Sequence, residues 1–369
     1  MRVVVAMSGG VDSSVAALLL KRQGHDVVGV FLRNGIESNR PSAGHGCCGA
    51  TDALDAAEVA SALSIPYYAL DHAAEFGRIV DDFVAACSRG ETPNPCVQCN
   101  RELKFGKLLE FAGALGADRL ATGHYARVVS GEDGPELWRA RDAAKDQSYV
   151  LATVAREALA RALFPIGELT KPQVRELARR AGLPVHAKHE SQELCFVPSG
   201  DHRDLLRARA PEQFREGVVR DLAGAAVGRH EGAVGFTVGQ RRGLKLAAGE
   251  RRYVVATDPS TNTVVVGARE QLLSRSAALE RACWQTARPP DGAELCGLLQ
   301  VRAHHEPVVA TARVTAGDRV ELQLDPPGEA VTPGQVGVLY QVGHVTQVGH
   351  AGQGWQGERV VVAGTLRHP

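Results

Sequence analysis

The chain has no run of about 18 or more consecutive apolar residues, so no transmembrane helix is expected. Its opening, MRVVVAMSGG, lacks a long apolar stretch followed by a small-residue cleavage site, which argues against a secretory leader. A charge surplus is missing too: Lys+Arg and Asp+Glu each number 42. Phosphate contacts supply much of the affinity of nucleic-acid binders, so RNA binding here would have to rest on local patches. No repeat of fixed period is visible, and no second Cys-x-x-C exists to complete a zinc site with Cys96 and Cys99. The eight cysteines are irregularly spaced, which does not suit a disulfide scaffold. The expectation is a cytoplasmic protein, off the membrane, that uses some cysteines for metal or thiol chemistry.

What is present fits a soluble globular protein, with 44% hydrophobic and 23% charged residues. A length of 369 residues exceeds one ordinary core and predicts two or three domains. Short apolar runs at 3–7, Val27–Leu32, Tyr67–Leu70 and Arg119–Thr122 read as strands. Between them fit helices from the Gly/Ser stretch to Gln23, over 52–63 with Thr51 and Asp52 as caps, over 73–87 and over 101–113. Thr170, Lys171 and Pro172 open another helix, with a capping hydroxyl and a proline in its first turn. Such alternation predicts a parallel α/β sheet with helices on both faces. After about residue 205 the pattern turns to short strands, among them Tyr253–Asp258, Thr263–Gly267, Val308–Val314, Arg319–Leu324, Val336–Tyr340 and Val360–Leu366. A small C-terminal β-barrel or sandwich is expected. The predicted domains are 1–205, 206–275 and 276–369, with Arg-rich 203–215 bridging the first to the rest.

Ser8-Gly9-Gly10-Val11-Asp12-Ser13-Ser14 falls between the first strand and the first helix. Paired glycines allow a tight turn and close backbone approach, and the opening helix amides with three serine hydroxyls form a phosphate or pyrophosphate site. Asp12 would hold a Mg2+ that bridges phosphates. The string is not a Walker A loop, for it has no lysine at the required place. A plain Gly/Ser turn is the bland alternative. Against it stands the whole SGGVDS string directly after a strand, which resembles the loop of the N-type ATP pyrophosphatases and implies ATP use with pyrophosphate release.

The cysteines give the second signal. Thr92-Pro93-Asn94-Pro95-Cys96-Val97-Gln98-Cys99-Asn100 contains a C-x-x-C pair, which can chelate a metal, form a redox disulfide or activate one thiol beside the other. Arg101, Lys104 and Lys107 follow on a predicted helix, where their charge and the helix dipole would favour a thiolate. Cys195 lies far downstream in Ser191-Gln192-Glu193-Leu194-Cys195-Phe196. For Cys47, Cys48, Cys87, Cys283 and Cys296 the expectation is a buried, inert thiol.

Taken in order, SGGVDSS, TPNPCVQCNRELKF, ATGHYAR, KDQSYVL, SQELCF and the run His230–Leu244 resemble the bacterial and organellar tRNA 2-thiouridylases across most of the chain. The resemblance implies a PP-loop catalytic domain, a small central tRNA-binding domain and a C-terminal β-barrel. It implies ATP-dependent adenylation of the C2 oxygen of the wobble uridine in tRNAs for Lys, Glu and Gln, followed by sulfur transfer. Cys99 takes the place of the family's nucleophile and Cys195 that of the persulfide carrier. Cys99 then attacks the persulfide and liberates its terminal sulfur, leaving a Cys99–Cys195 disulfide for a reductant to reset.

ATP contacts are implied for Ala6, Met7, Ser8, Gly9, Gly10, Val11, Asp12, Ser13, Leu32 and Gly123. Contacts to tRNA are implied for His124, Lys145, Asp146, Gln147 and Gln335. The implied partners are tRNA and a cysteine desulfurase or sulfur-carrier protein, with the enzyme a monomer. Two departures stand out. Many members carry aspartate where this chain has Cys96, so Cys96, Cys99 and Cys195 would alternatively ligate a [4Fe–4S] cluster. And the family's Arg-Tyr-Arg gives way here to Arg302-Ala303-His304-His305.

Overall fold

A computed structural model describes residues 1–35, 49–189, 194–197, 201–244, 246, 251–303, 305–329, 331–345 and 355–367. Strands β1 (Arg2–Ala6), β2 (Asp26–Arg33), β3 (Tyr67–Asp71), β4 (Arg119–Thr122) and β7 (Ala162–Leu163) form a parallel sheet in the order β3-β2-β1-β4-β7. Side chains alternate across it. Val3 and Val5 enter one core with Val15, Val59 and Val174, while Val4 enters another with Val28, Val30 and Leu120. Both faces of β1, β2 and β4 are covered, which is why these strands read as unbroken apolar runs, while edge strand β3 leaves Tyr68 exposed. Each fully buried valine or leucine contributes about 1.5–3 kcal/mol.

The helices are α1 (Val11–Arg22), α2 (Ala50–Ala62), α3 (Ala73–Ser88), α4 (Pro95–Gln98), α5 (Leu109–Ala114), the single turns α6 (Ser148–Leu151) and α7 (Arg156–Leu159), α8 (Lys171–Arg180) and α9 (His202–Arg209). Two details differ from the sequence reading. Gly49, not Thr51, stands at the start of α2, and Asp52 lies inside the first turn, where its carboxylate accepts the Gly49 amide at 3.1 Å. The helix read over 101–113 is a π-helix over Cys99–Leu108 that runs from α4 into α5.

Strands β8 (Gly217–Asp221), β9 (Ala226–His230), β10 (Tyr253–Asp258) and β11 (Thr263–Gly267) make a separate small sheet. The Arg-rich segment does bridge: Arg209 on α9 pairs with Asp81 of α3 at 2.6 Å, and Arg207 with Glu231 at 2.8 Å. Strands β12 (Leu273–Trp284), β13 (Glu294–Gln300), β14 (Val308–Val314), β15 (Val320–Glu329), β16 (Val336–Val345) and β17 (Trp355–Arg367) then close on themselves through β12–β17 pairing, giving the C-terminal barrel.

A hairpin of β5 (Ala126–Gly131) and β6 (Gly134–Arg139), which the sequence reading did not assign, leaves the first domain and joins the barrel sheet at β17, with Arg359 opposite Trp138. The core behind β1 and β4 continues into the barrel through Val338, Tyr340 and Val360, so the two share one interior. No helix among the described residues is long and apolar enough to cross a membrane.

Candidate active site

The strand order reverses direction about β1 and β4, the place where open parallel sheets bind ligands beyond their carboxyl ends. Two motifs emerge there. After β1, Ala6 and Met7 lead into Ser8–Gly10, and α1 begins at Val11 with Gly10 as its extended N-cap. Gly9 has φ +70°, and a Cβ on it would lie 2.3 Å from the Asp52 carbonyl oxygen, so only glycine fits. Ser13 Oγ accepts the Ser8 amide at 3.1 Å and Ser14 Oγ donates to the Gly10 carbonyl at 2.8 Å. These bonds brace the loop at the start of α1, where a helix's first amides favour an anion. Leu32 lies on the neighbouring β2, half-buried.

After β4 comes Gly123. A Cβ there would stand 2.5 Å from the Ser13 amide nitrogen and 2.7 Å from the Asp12 carbonyl carbon. The next residue, His124, is buried at 8% exposure, with Nδ1 2.6 Å from Thr122 Oγ1 and Nε2 3.5 Å from Lys104 Nζ. Burial, and then the charge of Lys104, hold its pKa well below the ordinary histidine value. A neutral ring, not a cation, faces the π-helix. One tetrad, Thr-Gly-His-Tyr, thus touches the phosphate loop on one side and the cysteine helix on the other.

Two lysines that the sequence reading did not place at the site complete the loop. Lys171, first residue of α8, sets its Nζ 2.8 Å from each Asp12 carboxylate oxygen, and Tyr125 donates its hydroxyl to the same carboxylate at 2.9 Å. Lys188 donates to the Gly9 carbonyl at 3.0 Å and to Asp52 at 2.7 Å, with Asp55 as a third partner. Burial opposes its charge, but the bonds to Asp52 and Asp55 outweigh that and raise its pKa. Asp12 is a single carboxylate at the loop. That suits Mg2+, which is commonly held by one or two carboxylates together with substrate phosphates.

Asn94 opens the cysteine helix, its Oδ1 accepting the Cys96 amide at 3.1 Å, with Pro95 in the first turn. Cys99 and Cys195 both pack, half-buried, against one cluster that includes Phe76, Phe83, Leu103 and Phe196. The fold thus gathers onto one core two thiols that are nearly a hundred residues apart in sequence. Cys96 is exposed and outside that cluster. Among the described residues no three His, Cys, Asp or Glu side chains are grouped to hold a metal ion.

Of the three cations expected to favour a thiolate, Arg101 pairs with Glu102 at 2.6 Å and Lys107 with Glu110 at 3.0 Å, while Lys104 Nζ lies 3.5 Å from His124 Nε2. Of the thiols expected to be inert, Cys87 is buried and its pKa is pushed up to about 12 by burial. Cys283 is half-buried and raised for the same reason. Cys296 departs from expectation: it is exposed, on the outer face of β13, with Sγ 3.8 Å from Thr311 Oγ1. Cys47 and Cys48 lie outside the described residues.

Family models match in the same order as the three sheets: a tRNA methyl transferase HUP domain over residues 1–199, its PRC-barrel domain over 203–268, and an aminomethyltransferase β-barrel domain over 274–346. The tRNA-specific 2-thiouridylase MnmA of Chloroflexus aurantiacus is 47% identical over 92% of this chain and 94% of its own. That of Moorella thermoacetica is 47% identical over 98% of both. The chain belongs to the tRNA-specific 2-thiouridylase family. Among solved structures, a 4-thiouridine synthetase in complex with RNA and ATP overlaps 57% of this chain and 50% of that one at a TM-score of 0.37 and 17% identity, too slight a likeness to add to the assignment.

The family's remaining motif residues fall at the junction with the barrel. Asp146, with its side chain 5% exposed, pairs with Arg139 at 2.9 Å, accepts the Ala140 amide at 2.8 Å and holds Ser148 Oγ at 2.7 Å. Arg139 extends the lattice to Glu358 and Gln300 and lies 3.7 Å from the Tyr340 ring centroid. The structure therefore spends Asp146 on internal bonds. Gln147 braces the crevice, its Oε1 accepting the Tyr125 amide at 2.9 Å while its own amide donates to the Tyr125 carbonyl at 2.8 Å. Lys145 is half-buried at the start of this motif, with its amide donating to the Asp142 carbonyl at 3.0 Å.

Gln335 sits on the barrel turn docked against the cysteine loop. The Thr92 amide donates to the Pro333 carbonyl at 2.9 Å, and Tyr149 reaches Gln335 Oε1 at 3.5 Å. Arg302 is turned inward, donating to the Val238 carbonyl and to Thr332 at 2.7 Å each.

Proposed function

We propose that this enzyme converts a uridine of tRNA to 2-thiouridine, as its relatives' name states, and does so at the expense of ATP. The observation that carries the reading is the bridge made by Gly123 and His124. It abuts the phosphate loop at Ser13 and the cysteine helix at Lys104. A base held against this tetrad would meet both an activated phosphate and a sulfur donor.

The chemistry balances as follows. The C2 oxygen of the uridine attacks the α-phosphorus of ATP, and pyrophosphate leaves along the loop of Ser8–Ser13. Asp12 would hold a Mg2+, which would supply neutralisation of the phosphate charge. The C2–O bond is now a bond to a good leaving group. Cys195 carries a persulfide supplied by a cysteine desulfurase or a carrier protein. The Cys99 thiolate attacks Sγ of Cys195, the S–S bond breaks, and the terminal sulfur departs as hydrosulfide. That sulfur adds to C2 and expels AMP. A Cys99–Cys195 disulfide remains, and a thiol reductant supplies the two electrons that reopen it.

Lys145, Gln147 and Gln335 are the residues we assign to the RNA side of the crevice, with the wobble uridine of tRNAs for Lys, Glu and Gln as substrate. Asp146 serves that surface through Arg139.

The test is nucleoside mass spectrometry of such a tRNA after incubation with the enzyme, ATP-Mg2+, a cysteine desulfurase, cysteine and reductant. The reading predicts 2-thiouridine that requires ATP. Release of pyrophosphate without thiouridine would leave an adenylating enzyme with another acceptor.

A further inference from the structure

The Asp12 carboxylate is already engaged. Lys171 Nζ lies 2.8 Å from both oxygens, and Tyr125 donates to one of them. Lys171 is 8% exposed, its Nζ also lies 5.9 Å from the centroid of the Tyr125 ring, and its backbone amide donates to the Asp142 carboxylate at 2.8 Å. A divalent ion bound to these same oxygens would stand close to the ammonium and repel it. Metal and Lys171 therefore cannot share Asp12 as it stands.

We infer that Lys171 is an internal counter-cation that occupies Asp12 in the nucleotide-free enzyme and yields it only to a metal that arrives with the triphosphate. This deepens the reading of Ser8–Ser13 as an ATP site with a divalent cation at Asp12, and rests on it. Without nucleotide, a metal must pull a buried ammonium off its carboxylate, which is costly. With nucleotide, the phosphate oxygens give the ammonium a new partner and give the metal further ligands, so the exchange is offset. Lysine suits the task because its charge sits on a flexible four-carbon stem that can swing between the two. Metal and nucleotide then bind as a unit, and the metal alone is kept out. Lys171 ends on the phosphate chain, where it stabilises departing pyrophosphate.

The probe is Mn2+, followed by electron paramagnetic resonance of the unbound ion, titrated into the full chain with and without α,β-methylene-ATP. Wild type should bind Mn2+ alone weakly and bind it far more tightly with the analogue. Lys171→Gln should bind Mn2+ alone roughly tenfold more tightly than wild type, since one charge-assisted bond to Asp12 is gone. Its gain from the analogue should shrink by a similar factor. Lys171→Arg grips a carboxylate with two parallel N–H groups and should bind Mn2+ alone less tightly than wild type.

Equal affinity for Mn2+ alone across the three proteins overturns the inference while the analogue still tightens binding in wild type. Were the glutamine variant not to fold, equality of the arginine variant and wild type would overturn it by itself. Wild type that binds no Mn2+ even with the analogue overturns the underlying assignment of the ATP site, and the inference with it.

Discussion

Gly123 and Ser13 are packed so closely that a single methyl group on Gly123 would lie 2.5 Å from the Ser13 amide nitrogen. That contact seats the end of β4 against the first turn of α1. Nothing at Gly123 requires a special dihedral; the constraint is space alone. In Gly123→Ala the start of α1 must move, and its amides lose their aim at the phosphates. ATP affinity is expected to fall about tenfold or more, as for loss of one or two charge-assisted bonds. Isothermal titration with the ATP analogue checks this.

Cys99→Ser and Cys195→Ser should each abolish 2-thiouridine formation while ATP binding stays at the wild-type level. The phosphate loop and the thiol cluster are built from different segments, and the Gly123–His124 tetrad touches both the loop and the helix that carries Cys99. Nucleoside mass spectrometry and analogue titration on the same preparations separate the two effects. Full thiolation by either variant would remove that cysteine from the mechanism.

Thiol reactivity should divide along burial. Only the thiolate reacts with iodoacetamide, and the Cys87 pKa pushed up to about 12 leaves almost none at pH 8. Exposed Cys96 and Cys296 should alkylate first in the native protein, with Cys87 last. Peptide mass spectrometry at timed intervals reads the order.

His124 gives a pH dependence of definite sign. Its folded pKa is depressed, by burial first and Lys104 second. Above the unfolded value of about 6.5 the ring is neutral in both states and stability does not depend on it. As pH falls below that value the unfolded chain takes up a proton that the folded ring refuses, so stability declines until the folded pKa is reached. His202 and His230, also depressed by burial, act in the same direction. Urea unfolding at pH 7.5 and 5.5 should show this loss, and His124→Asn should make it smaller.

Asp146→Ala tests whether that carboxylate serves the fold. It removes one of the two carboxylates paired with Arg139, which keeps Glu358, and the acceptor of the Ala140 amide and Ser148 hydroxyl, at a side chain only 5% exposed. We expect a loss of about 2–3 kcal/mol in unfolding free energy, from the Ala140 amide and Ser148 hydroxyl left without their acceptor. Unchanged stability with weakened tRNA binding would instead make Asp146 a direct RNA contact.

Much of this architecture was legible beforehand. The strands at Arg119–Thr122, Tyr253–Asp258, Thr263–Gly267 and Val308–Val314 lie where apolar periodicity put them, because each is short and bounded by turns. The loop of Ser8–Ser14 stood out because glycine, serine and aspartate lie within seven residues, between a strand and a helix. Lys171 and Lys188 were not, for they meet Asp12 and Gly9 across 159 and 179 residues, and a lysine opening or following a helix reads as solvated surface. The β5–β6 hairpin escaped for a related reason. Its partner strand β17 lies more than two hundred residues downstream, and no periodicity shows to which sheet a strand belongs. Backbone bonding of the π type under Cys99–Leu108 leaves no mark in side-chain spacing. Asp146 resembled a contact to RNA because its motif is contiguous with Lys145 and Gln147; only the position of Arg139 reveals its internal partner.

The account's central claim is that the loop at Ser8–Ser13 activates the very oxygen that the sulfur from Cys195 replaces. The most direct measurement uses tRNA carrying 18O at C2 of the target uridine, incubated with enzyme, ATP-Mg2+, a cysteine desulfurase, cysteine and reductant, with mass spectrometry of the released AMP. The account predicts that 18O appears in AMP in step with 2-thiouridine. Thiouridine formed alongside unlabelled AMP, with the 18O lost to water, would contradict it.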